Sequence, residues 1–397
     1  MDGISTPCVL LTTVCRPFGE KGEGDSVSAE LFHAQVTRSQ GIFSFRQHIR
    51  CWGLDYIAEN ITAPAVVLHY PSERELVREL QRRHFGYIGI NFVVATFHKV
   101  RRMAELIRKH SPASKIIIGG YGTVLSDDIL KPHADLICRE EGIGYMRRLL
   151  KEPSGMPIRH PYAPISPPRA YSVKPRTKVA HVTGGLGCPN GCDFCCTSHF
   201  FDRKYIRFVQ NGRDLYDIMQ SMAQQAGQAG DSLSGFILID EDFFIHEKRA
   251  REFLQCVRER GDTFSIMGFG SVRGLSKFTA DEIAEMGFDT IWTAYEGGRS
   301  GYEKLEGKKI DALYRELHSR GVAILSSMII GFPYQDPALL EEEFEKFIEL
   351  RPDLWQILIY FAFPGTPLFR RATEEGRYLG DPEAIAAAAE AVANQAK

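Results

Sequence analysis

The chain has 397 residues, 44% hydrophobic, 25% charged and 11% aromatic, and its 48 basic and 50 acidic side chains leave a formal charge of −2. At roughly 150 residues per domain, this length holds about two to three domains of ordinary globular composition. The charge balance excludes the basic footprint of a nucleic-acid binder and the acidic tail of a disordered partner.

Apolar runs such as 324–330 are too short for an integral membrane span. The first eleven residues lack the charged head and long apolar stretch of a secretory signal. A cytoplasmic protein is the expectation.

Five short apolar runs mark the first 150 residues, at 8–15, 65–69, 87–94, 115–118 and 135–138. They read as strands. Between them, 52–60, 72–83 and 96–110 carry helical periodicity, and Ser72 with Glu75 three residues on forms a capping box. This alternation predicts an α/β domain over 1–150, with a doubly wound, Rossmann-like parallel sheet. Ligands of such sheets lie beyond the carboxyl ends of the strands, and Gly119-Gly120-Tyr121-Gly122 follows the fourth run there.

Seven prolines then fall between 153 and 175. No helix or central strand tolerates that density, so 151–177 reads as a proline-rich linker.

Strand-like runs resume at 179–183, 235–239, 264–268, 290–294, 323–330 and 357–361, with helical patterns at 247–260, 279–286 and 337–350 among those between. Six such units predict a partial (β/α)6 TIM-type barrel over 178–375, with its chemistry at the C-terminal strand ends. Residues 376–397 form an alanine-rich tail that reads as a helix opening at Asp381-Pro382.

Nine cysteines are too few for a disulfide scaffold, but four lie between 188 and 196. Cys188, Cys192 and Cys195 form C-x3-C-x2-C just after the first predicted barrel strand. Structural zinc would need a second cysteine pair, which is missing. Three thiolates instead suit three irons of a 4Fe–4S cluster, with the fourth iron open, and the loop's glycines and proline let it wrap the cluster. Cys196 must point away from its neighbour and reads as a non-ligand. Cys8, Cys15 and Cys51 invite comparison with a second N-terminal cluster of the methylthiotransferase kind, but they lack a suitable spacing and read as small buried residues.

With the landmarks behind it, this loop resembles the radical S-adenosylmethionine superfamily over about 178–370. The resemblance implies a 4Fe–4S cluster whose open iron is chelated by S-adenosylmethionine, and reductive cleavage of a sulfur–carbon bond. It also implies cosubstrate contacts at the strand ends. Asp240 and Asp242, in Asp240-Glu241-Asp242, would meet the amino group or ribose, and Ser271 and Arg273 follow the next strand, where a cation suits the methionine carboxylate. Glu296 in Tyr295-Glu296-Gly297, Gly331 in Ile330-Gly331-Phe332-Pro333, and Pro364 in Phe363-Pro364-Gly365-Thr366-Pro367-Leu368 complete the set.

The N-terminal half resembles the cobalamin-binding-type domain of one branch of that superfamily. The matching stretches are 52–58, 88–91, 118–123 and 139–142, which would place Gly119 and Gly120 against cobalamin if it binds. A D-x-H-x-x-G signature is absent, and His33, His48, His84 and His98 have no comparable setting. Two expectations therefore stand: a corrinoid-binding domain, or a degenerate scaffold covering the barrel mouth.

The implied activity is radical modification of an unactivated carbon, with cobalamin-dependent methyl transfer first. Without cobalamin, the alternatives are ring closure, carbon–carbon coupling, oxidation or 3-amino-3-carboxypropyl transfer. A non-catalytic iron–sulfur electron carrier or sensor is the contrasting reading, and such carriers normally saturate their irons with four thiolates.

No catalytic residue beyond these binding groups is assigned. The expected partners are a small-molecule, lipid or tetrapyrrole-like substrate and an external one-electron reductant of flavodoxin or ferredoxin type, with no nucleic acid. Near the loop, Phe194, Phe200, Phe201 and Tyr205 suit core packing, and Arg203, Lys204 and Arg207 a solvated face or an anion.

Overall fold

The computed structural model describes residues 7–15, 50–164 and 177–377. The chain divides into two compact units, one of residues 1–175 with 369–397 and one of residues 176–368. The predicted C-terminal helix falls on residues outside the described set, as do His33 and His48.

The first unit is a five-stranded parallel sheet of β1 (Val9–Thr13), β2 (Ala65–Leu68), β3 (Tyr87–Asn91), β4 (Lys115–Gly119) and β5 (Leu136–Cys138). Its order is β2-β1-β3-β4-β5. Each predicted strand run overlaps one of these strands, and β4 extends one residue past its run to Gly119. The two-residue period of the pleat decides the packing. Val9, Leu11 and Ile117 pack on one face with Leu54 and Met146. Leu10, Ile116 and Ile118 pack on the other with Leu76, Val100 and Ile107. Each such buried aliphatic side chain contributes roughly 1.5–3 kcal/mol. The N-terminal cysteines are shared between the two clusters as small packing residues, Cys8 and Cys15 on the second face and Cys51 on the first.

The helix Glu73–Arg82 opens on the predicted capping box, the Ser72 hydroxyl accepting from the Glu75 amide and the Glu75 carboxylate from the Ser72 amide. The described half of the proline-rich segment is docked rather than free. Buried Arg147 donates to the Met156 and Pro157 carbonyls, while Asn60 exchanges hydrogen bonds with the Arg159 backbone at 2.7 and 2.8 Å.

The second unit is an open sheet of six parallel strands in sequential order. They are β6 (Thr177–Thr183), β9 (Ser232–Ile239), β10 (Ile266–Phe269), β11 (Phe288–Glu296), β12 (Ala323–Ile330) and β13 (Leu354–Ile359). This is the partial barrel expected, with β6 and β13 as its free edges. A two-stranded antiparallel ribbon, β7 (Gly185–Leu186) with β8 (Ile206–Arg207), interrupts the first crossover. Strands of two residues carry no readable period, so the sequence pattern missed it. Among the described residues, no helix is long and apolar enough to cross a membrane.

Candidate cluster and cosubstrate site

The β7–β8 ribbon pinches off residues 187–205 as a loop bearing the three cysteines. Two glycines are forced there. Gly187 has φ +86° and Gly191 φ +71°; a Cβ on the first would lie 2.2 Å from the Lys204 carbonyl oxygen, and on the second 2.4 Å from Arg203 Nε. Ser198, unremarked in the sequence, ties the loop together by donating to the Cys188 carbonyl at 2.7 Å and accepting from the Gly191 amide at 3.1 Å. Arg203 donates to the Pro189 carbonyl. Its guanidinium braces the loop from outside.

The three thiols border one cavity of about 170 Å³, together with Asn190, Glu241, Asp242, Ser271, Glu296 and Lys304. As free thiols they are poor ligands, because burial pushes Cys188 up to about 12, Cys192 up to about 11 and Cys195 above its ordinary value. Bound iron reverses that preference, since a coordinating thiol is deprotonated by the metal charge. Among the described residues, no three His, Cys, Asp or Glu side chains form a site for a single metal ion. Three thiols around a shared cavity fit a multi-iron cluster. Cys196 does not line that cavity.

The strand ends close over the loop through one network. Asn190 donates to Asp242 Oδ2 at 3.1 Å and accepts from Arg273 Nη2 at 2.6 Å, while the Ser271 amide donates to Asp242 Oδ1 at 3.1 Å. Three residues marked from the sequence, Asp242, Ser271 and Arg273, are thus brought to the cysteine loop. Arg273, however, also pairs with Glu303 and does not line the cavity, so the expected carboxylate-binding cation is occupied elsewhere. The Ser271 hydroxyl caps the next helical turn by accepting from the Gly274 amide.

Asp240, expected among the cosubstrate contacts, is paired within the protein. Its carboxylate accepts from Arg249 and from the Tyr205 hydroxyl, and Arg249 also donates to that hydroxyl. Burial raises the Asp240 pKa despite Arg249, and the group does not line the cavity. Its neighbour Glu241 does, pushed up to about 7 by burial and by the nearby Asp240 charge.

Glu296 is re-aimed by a bulge. The β11–β12 register shifts between Ala294 and Glu296, and Glu296 adopts φ +62°. Its carboxylate enters the cavity, where Oε1 pairs with Lys304 and buried Oε2 has no hydrogen-bond partner among the described residues. Lys304 escaped the sequence reading because nothing in the run 299–309 separates it from Arg299, Lys308 and Lys309. Gly331 and Pro364 do not line this cavity: Gly331 is exposed, its amide bonded to Gln335, and Pro364 is buried in the turn before Thr366. Asp193, between the cluster cysteines, accepts from the Tyr302 and Tyr360 hydroxyls and anchors the loop to the segments that follow β11 and β13.

In the first unit, the glycine loop after β4 is explained by its own chain. Gly120 has φ +92° and an added Cβ would meet the Phe92 carbonyl oxygen at 2.8 Å; at Gly122 it would strike the Phe92 ring. At Gly119 the added atom would make only an ordinary contact with Cys138. These glycines therefore do not themselves argue for a corrinoid.

No family model matches the chain. Its solved structural neighbours include the radical S-adenosylmethionine methyltransferase TsrM from Kitasatospora setae, bound to tryptophan and a cosubstrate analogue. That match has a TM-score of 0.66 and 16% identity, covering 93% of this chain and 76% of TsrM. The cobalamin-dependent radical enzyme OxsB, with aqua-cobalamin bound, superposes with a TM-score of 0.64 at 14% identity, over 94% of this chain and 61% of OxsB. The shared fold is thereby shown. Among curated proteins, a bacteriochlorophyllide d C-12(1)-methyltransferase of Chlorobaculum tepidum is 20% identical over 284 residues, 66% of this chain. The chain spans 61% of that relative's length.

Proposed function

We propose that this protein is a radical S-adenosylmethionine enzyme that modifies an unactivated carbon, with methyl transfer as its outcome. The observation that carries the reading is one cavity at the C-terminal strand ends bordered by Cys188, Cys192 and Cys195 and walled by Glu241, Asp242, Glu296 and Lys304. Those cysteines would hold three irons of a 4Fe–4S cluster. When bound, the cluster supplies the single electron that splits a sulfur–carbon bond of S-adenosylmethionine, drawn from an external donor of flavodoxin or ferredoxin type.

The chain's own contribution is positioning and exclusion of water. Glu241 and Oε2 of Glu296, which is buried with no hydrogen-bond partner among the described residues, offer acceptors to the ammonium or hydroxyl groups of the cosubstrate. Asp242, fixed by Asn190 and the Ser271 amide, keeps the acidic wall in register with the cysteine loop. The stacked rings of Phe269 and Trp292, with centroids 5.2 Å apart, give the opposite wall an apolar, planar face.

Residues 1–150 form the cobalamin-type domain of this proposal, followed by a linker, 151–177, and the barrel, 178–375. Cobalamin enters through the likeness to TsrM and OxsB and the parallel sheet, with Gly119 and Gly120 at the carboxyl end of β4. The substrate proposed is a small molecule with a planar conjugated system, as in the chlorin named for the curated relative.

Reconstituted protein incubated anaerobically with dithionite and methyl-labelled S-adenosylmethionine tests the reading. Formation of 5′-deoxyadenosine supports it. Methylthioadenosine would redirect it to 3-amino-3-carboxypropyl transfer, and an intact cosubstrate overturns it.

A further inference from the structure

Lys304 is the one basic side chain lining the cavity among the described residues, and its environment holds it in place. Its ammonium pairs with Glu296 Oε1 and lies 5.6 Å from the ring centroid of Phe194, one of the two residues between the second and third cysteines. The side chains of the pair are 17% and 5% exposed, so water screens them little.

We infer that Lys304 is the counter-charge of the iron–sulfur cluster, and that its pairing with Glu296 sets the cluster's reduction potential. The inference deepens the proposed function and rests on its cluster assignment. A cluster on three thiolates gains negative charge on reduction, and a fixed cation beside it favours the reduced form. Lys304 lines the same cavity as Cys188, Cys192 and Cys195, so its ammonium shares their poorly screened site. Glu296 therefore acts as a moderator: it holds the ammonium in place and offsets part of its charge.

The mechanism gives opposite signs to two substitutions of similar size. Lys304→Met removes the cation and leaves the carboxylate, so the potential falls. Glu296→Gln removes the anion and leaves the cation, so the potential rises. The double variant, with neither charge, lies between the two.

The test is an EPR-monitored redox titration of the reconstituted full-length protein without S-adenosylmethionine. Wild type and the three variants are compared at equal iron content, and circular dichroism verifies folding. Shifts of opposite sign with an intermediate double variant support the inference. Shifts of the same sign, or none, overturn it while leaving the cluster assignment intact. Failure of the wild type to assemble any cluster overturns the underlying proposal instead. If Lys304→Met does not fold, the Glu296→Gln shift alone decides: an unchanged or lowered potential overturns the inference.

Discussion

Arg249 donates to Asp240 at 2.6 Å, with side chains only 6% and 0% exposed. The Tyr205 hydroxyl bonds to both, and Tyr205 immediately precedes the ribbon strand that closes the cysteine loop. Asp240, expected from the sequence as a cosubstrate contact, is thus joined to the segment that closes the cysteine loop.

Breaking that pair leaves an uncompensated buried charge. Arg249→Met is expected to destabilise the protein by about 3–5 kcal/mol, and the double variant Arg249→Met/Asp240→Asn by clearly less. Equilibrium urea unfolding checks both. Equal losses in the single and double variants contradict the pairing.

The cysteines should divide into two classes. Serine at Cys188, Cys192 or Cys195 is expected to abolish most of the visible iron–sulfur absorbance after anaerobic reconstitution, whereas serine at Cys196, Cys51 or Cys15 leaves it. Retained absorbance in any of the first three variants contradicts the ligand set.

Asn190 and Arg273 act as a brace on the loop. Arg273→Met is expected to speed iron loss to a chelator several-fold, with little effect on affinity for S-adenosylmethionine once the cluster is full. Isothermal titration with the cosubstrate separates the roles. A large loss of affinity at full iron content would instead restore Arg273 to the carboxylate-binding role suggested by sequence.

Buried His181, on β6, makes stability depend on acid. Burial pushes its pKa down to about 3, from 6.5 when exposed. Well above pH 6.5 the ring is neutral in both folded and unfolded chains and its contribution is constant. As the pH falls from about 6.5 towards 3, the unfolded chain takes up a proton that the folded chain refuses, so stability is lost, by about 2 kcal/mol at pH 5. His246, held down near 4 by burial and then by Arg249, adds a loss of the same sign. Unfolding free energies at pH 7 and pH 5 check this: His181→Gln should narrow the difference, and an unchanged difference contradicts the assignment.

What was legible in the sequence followed strong local signals. Both sheets could be read because apolar runs alternate with amphipathic stretches, and the Ser72–Glu75 box because a cap depends on two residues three apart. The cysteine loop was legible for the same reason: its chemistry lies within nine positions. The rest depended on contacts far apart in the chain. Asp240 and Glu241 are adjacent, and only Arg249 and Tyr205 decide which of them faces the cavity. Lys304 and Arg273 both sit in short helical turns after a strand, distinguished by which partner each finds, Glu296 or Asn190. Gly120 and Gly122 look like a ligand loop until Phe92 is seen filling the space beside them.

The central claim is that three thiolates hold a cluster whose remaining iron meets S-adenosylmethionine. Low-temperature EPR of the dithionite-reduced, reconstituted protein, recorded with and without the cosubstrate, tests it most directly. The account predicts about four irons per chain and a reduced-cluster signal whose g values shift when S-adenosylmethionine is added. A signal that S-adenosylmethionine leaves unchanged would contradict it.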